Sequence, residues 1–428
     1  MPQQITILAL GSRGDVQPFV ALALGLQAHN FRVVIAAAAD YADLVHSYGI
    51  AFQPLVGTIR QLADQAQIEQ FLDEVRNPIR TGWNFLRQVD PIIEQLMRDC
   101  WEVCRSADAL IVASLGVYCG LHIIERLKIP MIVAHFHPMT PTEAAPPMFF
   151  PHWPRLLPGK RVYNRLAHVL YEHGQWQLLR RSFNRARRAV LDLPPLSAAA
   201  LVQRVRHLQL PMLYGYSPSL APPPADSPRL PITGCWPLAH PPTWQPSDDV
   251  QEFLAAGPPP ILVSFGSLML GRQVDALTQL IVRALERNGQ RGILQYGWDT
   301  PSIQLPPSIR QFPALPHDWL MQHVRAVVHH GGAGVTTATL RAALPAVVVP
   351  FLGDQFFWAE RLAALGVAPA PISRDTLSET LLAQALAQVL ADDRMRSRAD
   401  AVGSALRAEQ GVERAVLLVK RYLETYAM

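Results

Sequence analysis

The feature that most constrains this fold is a repeated alternation. A short, largely apolar run is followed by a turn of small residues and then by a stretch with helical periodicity. Residues 5–10 (ITILAL) form such a run and end at Gly11. Pro18 to Gln27 reads as a helix with its proline near the first turn, and Phe31 to Ala38 is the next strand. Ala109 to Ala113 and Met131 to Ala134 continue the series. Strands apolar at consecutive positions are buried on both faces, which a parallel sheet covered by helices provides. The pattern predicts a doubly wound α/β domain. The same grammar restarts at Ile261 (ILVSFGS) and recurs at 292–296, 326–329 and 346–350, so the chain reads as two α/β domains.

Between them, residues 211–260 carry PPP twice together with Pro228, Pro231, Pro237, PP at 241–242 and Pro246, the composition of a linker. The boundaries drawn are residues 1–240 for the first domain, 241–260 for a Pro-rich linker and 261–411 for the second domain. A last helix, 412–428, returns to the first. A length of 428 residues with 50% hydrophobic content supports cores of this size without staples. The net charge of +4 is too small to point to nucleic acid, and no nucleic-acid motif accompanies it. Cys100, Cys104, Cys119 and Cys235 lack a completing Cys/His pair for zinc and read as reduced, small hydrophobes, which favours a cytoplasmic chain. No signal peptide or membrane-length apolar run is evident. Residues 161–188 interleave seven Arg with Trp176, Phe183 and two Tyr. Such a helix either buries its aromatics under a solvated basic face or lies against an anionic membrane, so a peripheral contact at the inner face of the membrane stays open.

The densest chemistry lies between Val327 and Leu362. A strand ending at His329 is followed by His330-Gly331-Gly332-Ala333-Gly334 and then by a helical stretch from Thr336. Small residues let the backbone approach a ligand, and a helix N-terminus offers unpaired N–H groups, so this is an anion seat suited to a diphosphate. His330 adds a donor for phosphate oxygens as charge develops on a leaving group. After the next strand and loop comes Asp354-Gln355, a carboxylate and a carboxamide able to hold vicinal sugar hydroxyls.

In this order the motifs resemble the donor-binding signature of the UDP-glycosyltransferase superfamily with GT-B architecture, in its sterol-type and antibiotic-type branch. The resemblance spans essentially the whole chain. It implies two Rossmann-like parallel-sheet domains facing a cleft, the last helix crossing back onto the first domain. It also places His330, Gly332, Ala333, Gly334, Val335 and Ser267 at the diphosphate, Asp354 and Gln355 at the sugar, and Leu315 and His317 near the nucleobase. Two residues depart from the pattern. Val335 stands where relatives often carry Thr, a lost hydroxyl worth about 0.5–1.5 kcal/mol. Ala343 replaces a frequent Gly.

The loop Gly11-Ser12-Arg13-Gly14-Asp15-Val16-Gln17-Pro18 lacks the three glycines of a dinucleotide fingerprint, although Asp40 ends the second strand. It resembles the GSRGDVQP motif of the same superfamily, in which Asp15 takes the place of a base that deprotonates the acceptor. Asp15 also suits a helix N-terminus as a structural carboxylate. Ser12, Arg13, His135 and His137 are acceptor-side candidates. Trp83, Phe149, Phe150 and Trp153 hint at an apolar acceptor or belong to the core.

No Asp-x-Asp triplet of the kind used to bind a cation with the diphosphate occurs in the chain. The expectation is an inverting, metal-independent transferase with no cofactor. It would move a hexose, with UDP-glucose as the leading donor, to a lipophilic acceptor such as a sterol, carotenoid, lipid or polyketide. A nucleotide-sugar 2-epimerase and a non-catalytic sugar-nucleotide binding protein are the alternatives.

Overall fold

The computed structural model describes residues 3–57, 78–147, 150, 153–154, 157–266, 273–296 and 301–426, with side-chain surroundings for all but 78–89, 206 and 273. Phe149 and Ser267 lie outside the described residues, as does the side chain of Trp83. The chain forms two compact units, Met1–Trp236 together with Gln410–Met428, and Pro237–Glu409.

Both expected parallel sheets are present. In the first unit the strands are β1 (Gln4–Leu8), β2 (Arg32–Ala38), β3 (Ala51–Leu55), β4 (Ala109–Ala113), β5 (Met131–His135) and β6 (Met212–Tyr214), ordered β3-β2-β1-β4-β5-β6. All pairings are parallel. The chain starts in the middle, winds one way to β3 and then the other way from β4. Loops leaving β1 and β4 therefore diverge at their carboxyl ends, where open α/β sheets bind ligands. The second unit repeats this logic. Its strands β7 (Ile261–Gly266), β8 (Gly292–Tyr296), β9 (Ile309–Gln311), β10 (Ala326–His329) and β11 (Ala346–Val348) run in the order β11-β10-β7-β8-β9. Its switch point falls between β7 and β10, and the loop after β10 is the His330–Gly334 segment. Ile261, Val263, Val328 and Val347 pack one face, and Leu262, Ile293 and Val327 the other. That two-sided burial is why these strands carry no polar alternation.

Two local expectations are corrected. The first helix spans Arg13–Ala28, so Pro18 lies inside it and not at its first turn. Ser12 and Asp15 form a capping box that starts the helix five residues before the proline. Pro18 leaves the Gly14 carbonyl without its helical donor, and Gly14 is exposed, so water can satisfy it. The Pro-rich stretch 241–260 contains the helix Asp248–Ala255. Its Val250 and Phe253 are buried against Leu262, Ile293 and Phe312, so this part of the expected linker is packed into the second unit.

The helix Gly411–Tyr426 belongs to the first unit and packs on Arg13–Ala28. Gly25 allows the close approach, since a Cβ there would stand 2.7 Å from Val412 Cγ1. Glu413 also reaches His29 at 3.4 Å.

Candidate active site

In the first unit, the loop leaving β1 turns through Gly11 at φ 140°. A side chain at Gly11 would meet Asp15 Oδ2 at 2.3 Å, so the turn admits only glycine. Ser12 donates to that same oxygen from its backbone N–H at 2.7 Å and from its hydroxyl at 2.9 Å. Asp15 is thereby fixed in the first turn of the helix, where the dipole favours its charge. The arrangement gives Ser12 a defined task, orienting the carboxylate. Arg13 Nε donates to Gln17 Oε1 at 3.3 Å, one helical turn on, and burial lowers its pKa. Tyr41 beside it is pushed up to about 12 by burial and by the charges of Asp15 and Asp40.

His135 and His137 separate in the structure. His135 ends β5 with its ring buried, Nδ1 lying 2.7 Å from Ser114 Oγ and the ring 5.5 Å from that of Tyr214. Burial and the neighbouring His137 bring its pKa down to about 3, so at neutral pH it is an uncharged packing element. Phe136 between them packs on Phe19 and Trp236, and His137 is the partly exposed member of the pair.

In the second unit the helix Ala333–Arg341 begins with Gly332 as its cap. Its first helical bond runs from Thr336 N–H to the Gly332 carbonyl at 3.0 Å. The N–H groups of Ala333, Gly334 and Val335 precede it and have no helical acceptor, which makes three parallel donors for an anion. The loop before them is pinned from inside. Gly331 N–H donates to Nδ1 of the fully buried His329 at 3.0 Å, and burial brings the pKa of His329 to about 3. Gly331 adopts φ 87°, and a Cβ there would lie 2.8 Å from the Gln355 carbonyl oxygen.

The ring of His330 sits between two more glycines. A Cβ at Gly266 would approach its Cε1 to 2.9 Å, and one at Gly332 its Nε2 to 2.5 Å. Its Nδ1 faces the Ser264 carbonyl at 3.4 Å, which can only accept, so this nitrogen carries the proton. Burial pushes the ring's pKa below 6.5, against the opposing pull of the Ser264 carbonyl and Asp354. The neutral ring then presents a lone pair at Nε2. Donation from Nε2 to a phosphate requires a second proton, a refinement of the donor role read from the sequence.

Asp354 and Gln355 come at the end of the loop after β11. Asp354 Oδ2 accepts from Trp358 Nε1 at 3.1 Å, one helical turn on. Gln355 is buried, and its Oε1 accepts from the N–H groups of Phe351 and Leu352 at 2.8 and 3.2 Å. Those donors assign the amide oxygen inward, leaving Nε2 as the group that can donate to a hydroxyl. Leu315 lies partly buried against the core that holds Phe312 and Leu320, and His317 opens the short helix His317–Leu320. Asp318 in that helix accepts from the backbone N–H of His240 at 2.9 Å and pairs with its Nδ1 at 2.7 Å, tying the loop to the start of the second unit. Among the described residues no group of three His, Cys, Asp or Glu side chains converges to hold a metal ion.

The motifs by themselves assign no role to His329, Gly266 or Trp358. The i,i+4 spacing of Asp354 and Trp358 was visible, and so was the glycine ending the strand ILVSFG. His329 shows no such signal, since its partner is a backbone N–H.

Comparison with known proteins matches both halves. The model described as Glycosyltransferase family 28 N-terminal domain matches residues 5–146, and that described as Erythromycin biosynthesis protein CIII-like, C-terminal domain, matches 297–413. A sterol 3-beta-glucosyltransferase of Neosartorya fischeri is 35% identical over 98% of this chain. The chain belongs to the UDP-glycosyltransferase superfamily, with GT-B architecture. It spans about 30% of the length of that curated relative. The glycotransferase of kitacinnamycin superposes with a TM-score of 0.64 at 22% identity, covering 98% of this chain and 99% of that one. Streptomyces sp. SF2575 glycosyltransferase SsfS6, complexed with thymidine diphosphate, gives a TM-score of 0.59 at 17% identity, covering 98% and 99%.

Both departures of this UDP-glycosyltransferase superfamily member from its pattern have a structural reading. Val335 is buried in the apolar core with Leu262, Ile293 and Val327. It offers the seat its N–H, and its side chain serves packing. Ala343 adopts φ 57°, the left-handed region, which costs a residue with a Cβ about 1–2 kcal/mol. Ala343→Gly is expected to stabilise the protein by about 1 kcal/mol, raising the midpoint of thermal denaturation by roughly 2 °C. An unchanged or lower midpoint would show that the turn carries no such strain.

Proposed function

We propose that this chain is an inverting, metal-independent hexosyltransferase that moves glucose from UDP-glucose to the hydroxyl of a lipophilic alcohol of sterol type. The observation that carries the reading is the anion seat: three N–H groups of Ala333–Val335 beside the His330 ring, at the switch point of a parallel sheet. In this reading the acceptor hydroxyl attacks the anomeric carbon, its proton passes to Asp15, the bond from that carbon to the diphosphate oxygen breaks, and UDP leaves toward the seat. Asp354 accepts from sugar hydroxyls, and the Nε2 group of Gln355 donates to them. Leu315 and His317 border the nucleobase. His137 is the better placed histidine for an acceptor contact, being partly exposed where His135 is buried.

The glucosyl donor and sterol-type acceptor are supported by the similarity to the sterol 3-beta-glucosyltransferase of Neosartorya fischeri, and a nucleoside diphosphate by the thymidine diphosphate complex of SsfS6. Four free, buried cysteines fit a reducing cytoplasmic compartment. The test is incubation with UDP-glucose and a panel of sterols and other lipophilic alcohols, with and without excess EDTA. Acceptor-dependent UDP release undiminished by EDTA is expected. UDP release abolished by EDTA would overturn the metal-independent part. Acceptor-free epimerisation, or donor binding without turnover, would replace the transferase reading with one of its rivals.

A further inference from the structure

The helix Lys160–Leu191 is amphipathic in the wrong sense for a buried element. In its first three turns the residues turned inward are Asn164, Ala167 and His168. Both polar groups are used there: Asn164 Nδ2 donates to the Glu143 carbonyl at 2.7 Å, and His168 Nε2 lies 3.1 Å from the Ala145 carbonyl. The opposite face carries Val162, Leu166, Val169 and Leu170, which are 63%, 57%, 39% and 63% exposed. At 100° per residue these four fall within one stripe of about 100°, with the buried set on the far side. Leu157, just before the helix, adds a fifth exposed apolar side chain at 54%. A contiguous apolar stripe on an exposed helix marks an interaction surface.

The charges choose the partner. Lys160, Arg161 and Arg165 are exposed on the same turns. Over its whole length the helix holds one Lys and seven Arg against a single Glu, Glu172. One of the arginines is removed from the surface: Arg187 is fully buried and pairs with Glu125 at 2.6 Å. Arg165 pairs with Glu143 yet keeps most of its side chain exposed. Leucines flanked by Lys and Arg match a surface whose interior is hydrocarbon and whose headgroups are anionic. Among the described residues no helix is long and apolar enough to cross a membrane, so the contact would lie in the interfacial plane.

We propose that the exposed face of residues 157–170 docks the protein on an anionic lipid bilayer. This inference goes beyond the proposed reaction and does not depend on it. The test is sedimentation of the full chain with vesicles of phosphatidylcholine alone and of phosphatidylcholine mixed with phosphatidylglycerol. Binding to the mixed vesicles, weakened by salt, is expected. The pair Leu166→Glu with Leu170→Glu should lower it by at least roughly tenfold, since each loses a buried leucine and gains a repelled charge. Both positions are exposed, so the double variant should keep its circular dichroism and melting midpoint. Arg161→Glu should weaken binding to the mixed vesicles only. Absence of binding to either vesicle, or binding unaltered in the double variant, would overturn the proposal. So would a lipid-free dimer, seen by analytical ultracentrifugation, that the double variant abolishes, which would make this face an interface between two copies.

Discussion

Asp15→Asn is expected to lower the turnover number by roughly 10²–10⁴, the usual contribution of a positioned general base, while donor affinity stays within a few-fold. The substitution isolates basicity from structure. Asparagine keeps a carbonyl oxygen that can accept from the Ser12 N–H and hydroxyl, the two bonds that seat Oδ2 at 2.7 and 2.9 Å. The turn through Gly11, which leaves no room beside that oxygen, therefore keeps its shape. Lost are the negative charge at the helix N-terminus, worth about 0.3–1 kcal/mol, and the lone pair basic enough to take the acceptor proton. Steady-state kinetics measured beside a UDP-glucose thermal shift separates the two effects. A variant that turns over like the parent would remove Asp15 from the chemistry and leave it a capping residue. A variant that loses donor binding as well would mean that the loop had collapsed.

The capping box also shows where sequence reasoning reaches and where it stops. Strands were readable because burial on both faces leaves a run such as ALIVA or AVVH with no polar alternation, and the βα order then fixed two parallel sheets. The helix start was misplaced because a proline is a strong local signal, whereas the bonds of Ser12 to Asp15 depend on a glycine at φ 140° just upstream. The Pro-rich stretch hid a helix for a similar reason. Only two side chains of DDVQEFLA, Val250 and Phe253, are fully buried, with Leu254 packing partly buried beside the same core, too few to register against so many prolines. At the donor site, residue types and order were legible and roles were not. The spacing of Asp354 and Gln355 could not reveal that the amide oxygen of Gln355 is taken by two backbone N–H groups. Nor could it reveal that Val335 turns its side chain into the core. The tautomer of His330 depends on the carbonyl of Ser264, 66 residues earlier and in a neighbouring strand.

That tautomer sets the second large expectation: UDP-glucose binding should be coupled to uptake of a proton at His330. In the free protein burial holds the ring below its ordinary 6.5, so near neutral pH it is uncharged, with Nδ1–H toward Ser264 and a lone pair at Nε2. The nearby groups oppose burial: the Ser264 carbonyl and Asp354 both favour the charged ring, and burial outweighs them. A diphosphate on the N–H groups of Ala333–Val335 brings negative charge beside Nε2 and raises the bound-state pKa above the free one. The sign follows. A group whose pKa rises on binding favours the complex at low pH, so donor affinity should fall as pH climbs from the free value to the bound one. The slope is at most about tenfold per pH unit. UDP-glucose suits the measurement because its diphosphate is esterified at both ends and keeps its charge across this range. Calorimetry in buffers of different ionisation heat reads the proton directly. His330→Ala should abolish the uptake, flatten the pH dependence and lower kcat/KM by roughly 10²–10³, the cost of one preorganised donor to a developing oxyanion. If the parent takes up no proton and its affinity is flat between pH 6 and 8, a range spanning the ordinary histidine value, then His330 meets the donor as a neutral ring. The three backbone N–H groups would then hold the leaving phosphate without it.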